Sequence, residues 1–269
     1  MNIHHQIDVQ AISSQLDATP ILSVKAVSKY FSQQGNSKRV GLEDISLDCH
    51  EGEIIAILGQ SGSGKSTLLR LLSGLIEPSE GTICYRNEVV AKPLQQSKMV
   101  FQHYALLPWM TVAENIAFGL SIQGVHPTLI SERVELAMAM IGISGFACAY
   151  PSQLSGGMCQ RVGFARPLVT QPEILLLDEP FSALDALTAR RLKKDFLHIW
   201  GQPDNTIKSV VLVTHDVDEA IQMADHIIVL ASNPGRVFAQ LKLSGSDRHE
   251  GKHRLAEQIY HLLENASGA

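Results

Sequence analysis

An α/β fold carrying an inserted helical lobe is predicted from three observations. Continuous apolar runs recur at Ile54–Leu58, Ile174–Leu177, Val210–Val213 and Ile227–Leu230, as strands buried on both faces of a sheet require. Helical apolar spacing lies between them, for instance Leu192, Phe196, Ile199 and Trp200 on one face. Between about residues 103 and 160 the pattern changes to capped, helically spaced segments.

The elements follow in order. Residues 1–20 are polar and read as a flexible arm. Leu22, Val24 and Ala26 alternate with Ser23 and Lys25, the period of a strand. Gln33–Arg39 reads as a hairpin loop, after which Ile45, Leu47 and Cys49 alternate again. Gly52 marks a turn into the buried strand Ile54–Leu58, and a helix runs from Thr67 to Leu72. Short strands are expected at Thr82–Tyr85 and Met99–Phe101. Thr111-Val112-Ala113-Glu114 fits a capping box opening a helix toward Leu120. Val134, Ala137, Met138 and Ile141 form a helical stripe, with Met138 and Met140 as core filler. Gly201–Thr206 reads as a loop, and Leu255, Ile259, Leu262 and Leu263 predict a final amphipathic helix. The expected division is an arm at 1–20, a main domain at 21–245 with a helical subdomain at about 103–160, and a tail at 246–269.

Composition narrows the function classes. A chain of 269 residues with 45% hydrophobic content can bury a sizeable core. No run approaches the length of a membrane-spanning helix, and the N-terminus lacks an apolar signal region, so a cytosolic location is the default. A net charge of −5 gives no general attraction to nucleic acid. Cys49, Cys84, Cys148 and Cys159 show no Cys-x-x-Cys spacing, which argues against a zinc ribbon or redox motif.

The chemistry is concentrated in two places. Gly59-Gln60-Ser61-Gly62-Ser63-Gly64-Lys65-Ser66 has the Gly-x-x-x-x-Gly-Lys-Ser spacing of a phosphate loop and sits between a buried strand and a helix. Such a loop wraps phosphates with backbone N–H groups, and the following helix points its positive end at the anion. Lys65 would reach the β- and γ-phosphates, and the Ser66 hydroxyl would ligate Mg²⁺. Second, the apolar strand Ile174–Leu177 ends in Asp178 and Glu179. At a strand end beside a phosphate loop, Asp178 can hold the Mg²⁺ shell and Glu179 can polarise an attacking water. Alone, the pair reads equally as two solvated acids before Pro180.

Five motifs in order then carry a family resemblance. After the phosphate loop come Gln102 behind Met99-Val100-Phe101, Leu154-Ser155-Gly156-Gly157-Met158-Cys159-Gln160-Arg161-Val162, the acids at 178 and 179, Ser182-Ala183-Leu184-Asp185, and Val213-Thr214-His215-Asp216. Over about residues 22–240 the chain resembles ATP-binding cassette (ABC) proteins, with their Q-loop, signature, D-loop and H-loop. The resemblance implies a P-loop NTPase core with a mixed, mainly parallel sheet, an antiparallel β subdomain and an inserted α-helical subdomain. It implies ATP and Mg²⁺ as ligands, with hydrolysis to ADP and phosphate. It also implies a head-to-tail dimer with a second copy or a paralogous ATPase subunit. Ser155, Gly156 and Gly157 would then face the γ-phosphate held by the partner. His215 would act with Glu179 at the attacking water, and Gln102 would contact Mg²⁺ and sense a transmembrane permease. Asp185 would couple the two sites, and Thr67 joins the nucleotide set. Tyr30 and Phe31 both offer an aromatic ring for adenine, and the family register favours Phe31.

Two departures stand out. Met158 occupies a position where the family usually has Gln, and Pro167 one where it usually has Ala. Proline inside a helix removes a backbone bond, so a kink or early end is expected at residues 163–167. Tyr104-Ala105-Leu106-Leu107-Pro108-Trp109 resembles importers of nitrate, sulfonate, taurine and bicarbonate, and Asp185-Ala186-Leu187-Thr188 and Ser232-Asn233-Pro234-Gly235-Arg236 support the same group. The expectation is a peripheral ATPase at the cytoplasmic face of the membrane, serving a permease and, indirectly, a substrate-binding protein. Another small organic solute, such as a thiamine precursor, is the alternative cargo. A soluble cassette ATPase of translation or DNA repair and an exporter subunit are the rivals.

Overall fold

The computed structural model describes residues 19–32, 38–101, 105–203, 205–244 and 251–267. The arm expected at 1–20 therefore lies almost wholly outside the described residues.

Two sheets share the molecule. The first is antiparallel, in the order β2-β1-β4-β5, from β1 (Leu22–Ser32), β2 (Lys38–Cys49), β4 (Glu80–Tyr85) and β5 (Glu88–Val89). The second has the order β10-β9-β3-β8-β7-β6. It comprises β3 (Glu53–Gly59), β6 (Ser97–Val100), β7 (Ile174–Asp178), β8 (Ser209–Val213), β9 (His226–Leu230) and β10 (Val237–Lys242). Its strands pair in parallel except for β10, which runs antiparallel along β9.

Side-chain alternation along β3 shows why this strand is apolar throughout. Ile54, Ala56 and Leu58 enter one buried cluster, whereas Ile55 and Ile57 enter another on the opposite face. The first cluster joins the sheet to α2 (Val112–Ile122), α3 (Pro127–Met140), α4 (Gly156–Leu168), α5 (Ala186–Trp200) and α6 (Val217–Met223). The second joins it to α1 (Lys65–Leu72) and the antiparallel sheet. Each fully buried branched aliphatic side chain contributes about 1.5–3 kcal/mol, so polar residues are confined to the strand ends.

Local signals act as the sequence predicts in several places. The Thr111 hydroxyl accepts the Glu114 N–H at 3.3 Å, and the Glu114 carboxylate accepts the Thr111 N–H at 2.7 Å, closing the capping box of α2. Val134, Ala137, Met138 and Ile141 are all buried, while Met140 is half-buried. The final helix, α7 (Lys252–Ala266), buries Ile259 and Ala266 in the first cluster.

Two expectations are corrected. β1 carries the alternation of Leu22–Ala26 on to Ser32, with register shifts along it and φ 49° at Ala26. Lys38 and Arg39 belong to β2 and not to a loop, since both pair with β1; residues 33–37 lie outside the described residues. Pro167 does not end its helix early: α4 runs to Leu168, and the Val169 N–H still donates to the Ala165 carbonyl at 3.3 Å. The proline stands in the last turn, where only its own bond to the Gly163 carbonyl is lost.

Candidate nucleotide site

The parallel order brings several strand ends to one edge of the sheet, where open α/β sheets place their ligands. β3 ends at Gly59, β7 at Asp178, β8 at Val213 and β9 at Leu230. Each hands its chain to one of the chemical motifs.

From Gly59 the chain turns through Gln60–Ser63 into α1, whose N-cap Gly64 has φ 90°. Gly62 also has positive φ, at 83°. A Cβ on Gly64 would lie 2.5 Å from Leu42 Cδ2, and one on Gly59 2.7 Å from Ser63 Oγ. Both glycines are therefore required by the approach of β2 and of the loop to itself. Ser63 is fully buried beneath the loop. Lys65 is buried too, and its ammonium donates to the Gly59 carbonyl at 2.8 Å and the Gln60 carbonyl at 2.9 Å. Burial lowers its pKa, while the nearby Glu179 and Asp178 carboxylates oppose that shift.

Ser66 and Asp178 meet directly: Ser66 Oγ donates to Asp178 Oδ1 at 3.0 Å. Burial raises the Asp178 pKa, and the Ser66 hydroxyl works against it. A hydroxyl and a carboxylate side by side are hard oxygen donors, the set Mg²⁺ shares with phosphate oxygens and water. The residues present thus fit that ion. Glu179 follows with φ 48°, its N–H bonded to the Val213 carbonyl at 2.9 Å. Its Oε2 lies 3.4 Å from His215 Nδ1. The exposed His215 sits on a loop held from within. The buried Thr214 hydroxyl donates to Glu219 Oε2 at 2.8 Å and accepts the Asp216 N–H at 3.0 Å.

An open cavity of about 390 Å³ lies against the phosphate loop and Glu179, while Asp178 and His215 do not line it. Ser61, Gly62, Gly64, Lys65, Ser66 and Thr67 line it, together with Glu179 and Phe31. Tyr30 is directed elsewhere, its hydroxyl bonded to Glu80 Oε2 at 3.0 Å. Of the two rings weighed from sequence, Phe31 is the one on the cavity. Arg39, Val40, Gly41 and Asn233 also line it. The alternating pattern did not reveal the first three, because β2 was not legible that far back. Asn233 is brought in by register, since Gly59 pairs opposite Leu230 on the neighbouring strand.

Ser155, Gly156 and Gly157 are not on this cavity. Ser155 caps α4, its hydroxyl accepting the Met158 N–H at 3.3 Å, so the first turn of that helix carries N–H groups with no helical partner. The helix is tied to the Asp178–Glu179 turn through Gln160, whose amide donates to the Pro180 carbonyl at 2.6 Å. Phe164 adds ring contacts to Phe181 and Phe196, both at 5.7 Å between centroids. Asp185 caps α5 by accepting the Thr188 N–H at 3.0 Å, which lowers its pKa. Gln102 lies outside the described residues. Among the described residues no cluster of three or more His, Cys, Asp or Glu side chains could hold a metal, and no helix is long and apolar enough to cross a membrane.

Comparison with known proteins agrees with this geometry. The sequence profile of the family described as ABC transporter matches residues 42–182. The chain is 41% identical over 216 residues to the aliphatic sulfonates import ATP-binding protein SsuB of Bacillus cereus, covering 80% of this chain and 83% of that one. It is 42% identical over 205 residues to the nitrate import ATP-binding protein NrtD of Synechocystis sp., covering 76% of each. Among solved structures, a dimeric post-hydrolysis state of the ATP-binding cassette MJ0796 bound to ADP and Pi superposes with a TM-score of 0.76 at 32% identity. It covers 83% of this chain and 99% of that one. A phosphate loop over paired strand-end carboxylates, on a fold shared with an ADP-bound cassette, leaves one assignment: the chain belongs to the ABC transporter family, as one of its ATP-binding cassettes.

Proposed function

We propose that the chain hydrolyses ATP to ADP and phosphate as the peripheral subunit of an importer for a small anion. The observation that carries this is the convergence of Lys65, the Ser66–Asp178 pair and the Glu179–His215 pair at one sheet edge. Phosphoryl transfer asks for little covalent chemistry from a protein and much positioning. The backbone N–H groups of Gly62–Ser66 and the start of α1 would hold the phosphate tail, with the Lys65 charge against its β- and γ-oxygens. Phe31 would stack on adenine. Ser66 and Asp178 would hold Mg²⁺, which when bound neutralises charge on the β- and γ-phosphates; Gln102 is the third expected ligand. Glu179 would orient a water in line with the γ-phosphorus and accept its proton as the bond to the β–γ bridging oxygen breaks. His215, 3.4 Å from Glu179, would hold that water and carboxylate in register.

Ser155, Gly156 and Gly157 need a second copy or a paralogous cassette to reach a nucleotide. The serine cap and the free N–H groups of the first turn suit a γ-phosphate supplied from across a head-to-tail dimer. Asp185, next to that contact, would link the two sites. The permease would dock against the segment after Gln102. There Trp109 is 69% exposed, and Leu106 packs on the core. Such docking would hold the subunit at the cytoplasmic face of the membrane, with a substrate-binding protein on the far side. The relatives named for sulfonates and nitrate support an anionic cargo. The helical segment between residues 103 and 160 would move as its own subdomain within the 21–245 domain.

Phosphate release by the purified protein, and by its Glu179→Gln variant, tests the reading. The variant should bind ATP with unchanged affinity, lose at least about 100-fold in turnover, and accumulate as a dimer in ATP. Wild-type turnover in that variant would refute the role of Glu179. Uptake of labelled sulfonate and nitrate by cells with and without the chain assigns the cargo.

A further inference from the structure

The segment Ser232–Arg236 is wedged between β2 and the phosphate loop. The Gly235 N–H donates to the Gly41 carbonyl at 3.1 Å, and its own carbonyl accepts the Glu43 N–H at 2.9 Å. A Cβ at Gly235 would lie 2.2 Å from the Ser63 carbonyl oxygen, so only glycine lets this segment lie so close to the loop. Arg236 Nε anchors the exit of the segment, donating to Glu43 Oε2 at 2.9 Å. Together these bonds fix the position of the residue two places before Gly235. That residue is Asn233, an exposed side chain on a left-handed backbone (φ 59°) that lines the same cavity as Gly62, Lys65 and Glu179. Asparagine is among the few side chains that tolerate this backbone, and it brings two N–H donors and a carbonyl without charge.

From this geometry we infer that Asn233 is a nucleotide-binding residue whose side-chain amide donates a hydrogen bond to the phosphate tail of ATP. The inference rests on the nucleotide reading above and adds to it a ligand from a strand end outside the five motifs. Its segment abuts the phosphate loop itself at Ser63, besides the Gly41 that packs against Phe31, and a tripolyphosphate probe separates the phosphate tail from the adenosine. A neutral donor there leaves the positive charge to Lys65 and Arg39, whereas a carboxylate would oppose the phosphates.

The test compares Asn233→Gly and Asn233→Asp with the wild type, using calorimetric titration of ATP and of inorganic tripolyphosphate. Both replacements accept the left-handed backbone, so their urea midpoints should match the wild type. Asn233→Gly should weaken binding of both probes about tenfold, the loss of one hydrogen bond to a charged group. Asn233→Asp should weaken it further, with a loss that shrinks as salt is added. Wild-type affinity in both variants would overturn the inference, as would recovery of full affinity in the Asp variant alone, which would make the side chain a matter of loop shape. A wild-type protein that binds neither probe would overturn the nucleotide reading instead.

Discussion

Asn115 is fully buried in the first turn of α2, and it organises the chain ahead of it. Its Oδ1 accepts the Leu107 N–H at 2.8 Å, and its Nδ2 lies 3.0 Å from the carbonyls of Leu107, Met110 and Thr111. One amide thus closes the turn that presents Pro108 and Trp109. Replacing it with alanine leaves the Leu107 N–H without its acceptor and the Met110 carbonyl without its donor, whereas the Leu107 carbonyl keeps the Met110 N–H at 3.1 Å. The Thr111 carbonyl keeps the Asn115 backbone N–H at 2.8 Å. Two lost pairings at about 1 kcal/mol net each, plus partial desolvation of the groups left behind, predict a cost of about 2–4 kcal/mol. That is a substantial share of the roughly 5–15 kcal/mol typical of a domain. Urea unfolding at 25 °C should show it as a lower midpoint with an unchanged slope, and hydrogen exchange should show faster exchange at residues 105–111. Asn115→Asp sharpens the argument. It keeps an acceptor for the Leu107 N–H but turns a carboxylate oxygen toward three carbonyls, so it should be at least as destabilising at pH 7 and should recover in part as that carboxyl is protonated. An alanine variant within about 0.5 kcal/mol of wild type, the ordinary surface range, would refute the accounting.

Two further predictions concern groups away from the cavity. Burial pushes the Glu219 carboxyl up to about 7, with the Thr214 hydroxyl, Lys193 on α5 and His215 opposing and Asp216 assisting. An acid whose folded pKa exceeds its ordinary value of 4.5 holds its proton longer in the folded state. Its contribution to stability is therefore complete below that value and lost as pH rises through about 7. Glu219→Gln should match the wild type near pH 4 and exceed it by on the order of 3 kcal/mol at pH 8; equal pH profiles in urea unfolding would count against this. Pro167→Ala should restore the bond to the Gly163 carbonyl and stabilise the protein by about 1–2 kcal/mol. A lower thermal midpoint in that variant would mean that the packing of the buried ring outweighs the missing bond.

The sequence made some of this architecture readable because one physical signal dominated locally. β3, the glycine loop and α1 follow from an apolar run, fixed glycines and a helical stripe, and Thr111 with Glu114 marks its helix start unaided. β1 and β2 were readable only in part. Register shifts around Val24, Val27 and Lys29, with left-handed residues at Ala26 and Asp44, erase the period of two on which strand reading depends. β10 is not legible because an edge strand with half-buried alternation resembles polar loop. Within the site, Lys65, Asp178 and Glu179 were readable from the loop spacing and the apolar strand that ends in two acids, whereas His215 was readable only through the family resemblance. Asn115, Thr214 and Glu219 were not marked as structural anchors, since a buried polar side chain is defined by partners that only the fold supplies. Ser155 and Asp185 drew attention for roles across a dimer, yet within the chain both are helix caps.

The two carbonyls that hold Lys65 change what its charge contributes. A free lysine side chain carries about 2 kcal/mol of rotamer entropy, and ordering it on a ligand would subtract that from affinity. Here Gly59 and Gln60 take two of its three N–H donors. The ordering is therefore complete when the loop folds, and the ammonium is preorganised with one donor left to aim. Affinity for phosphate then depends on the rigidity of the loop backbone as much as on any contact made to the ligand. A change that loosens the Gly59 or Gln60 peptide would weaken binding while every group that touches the nucleotide stayed in place.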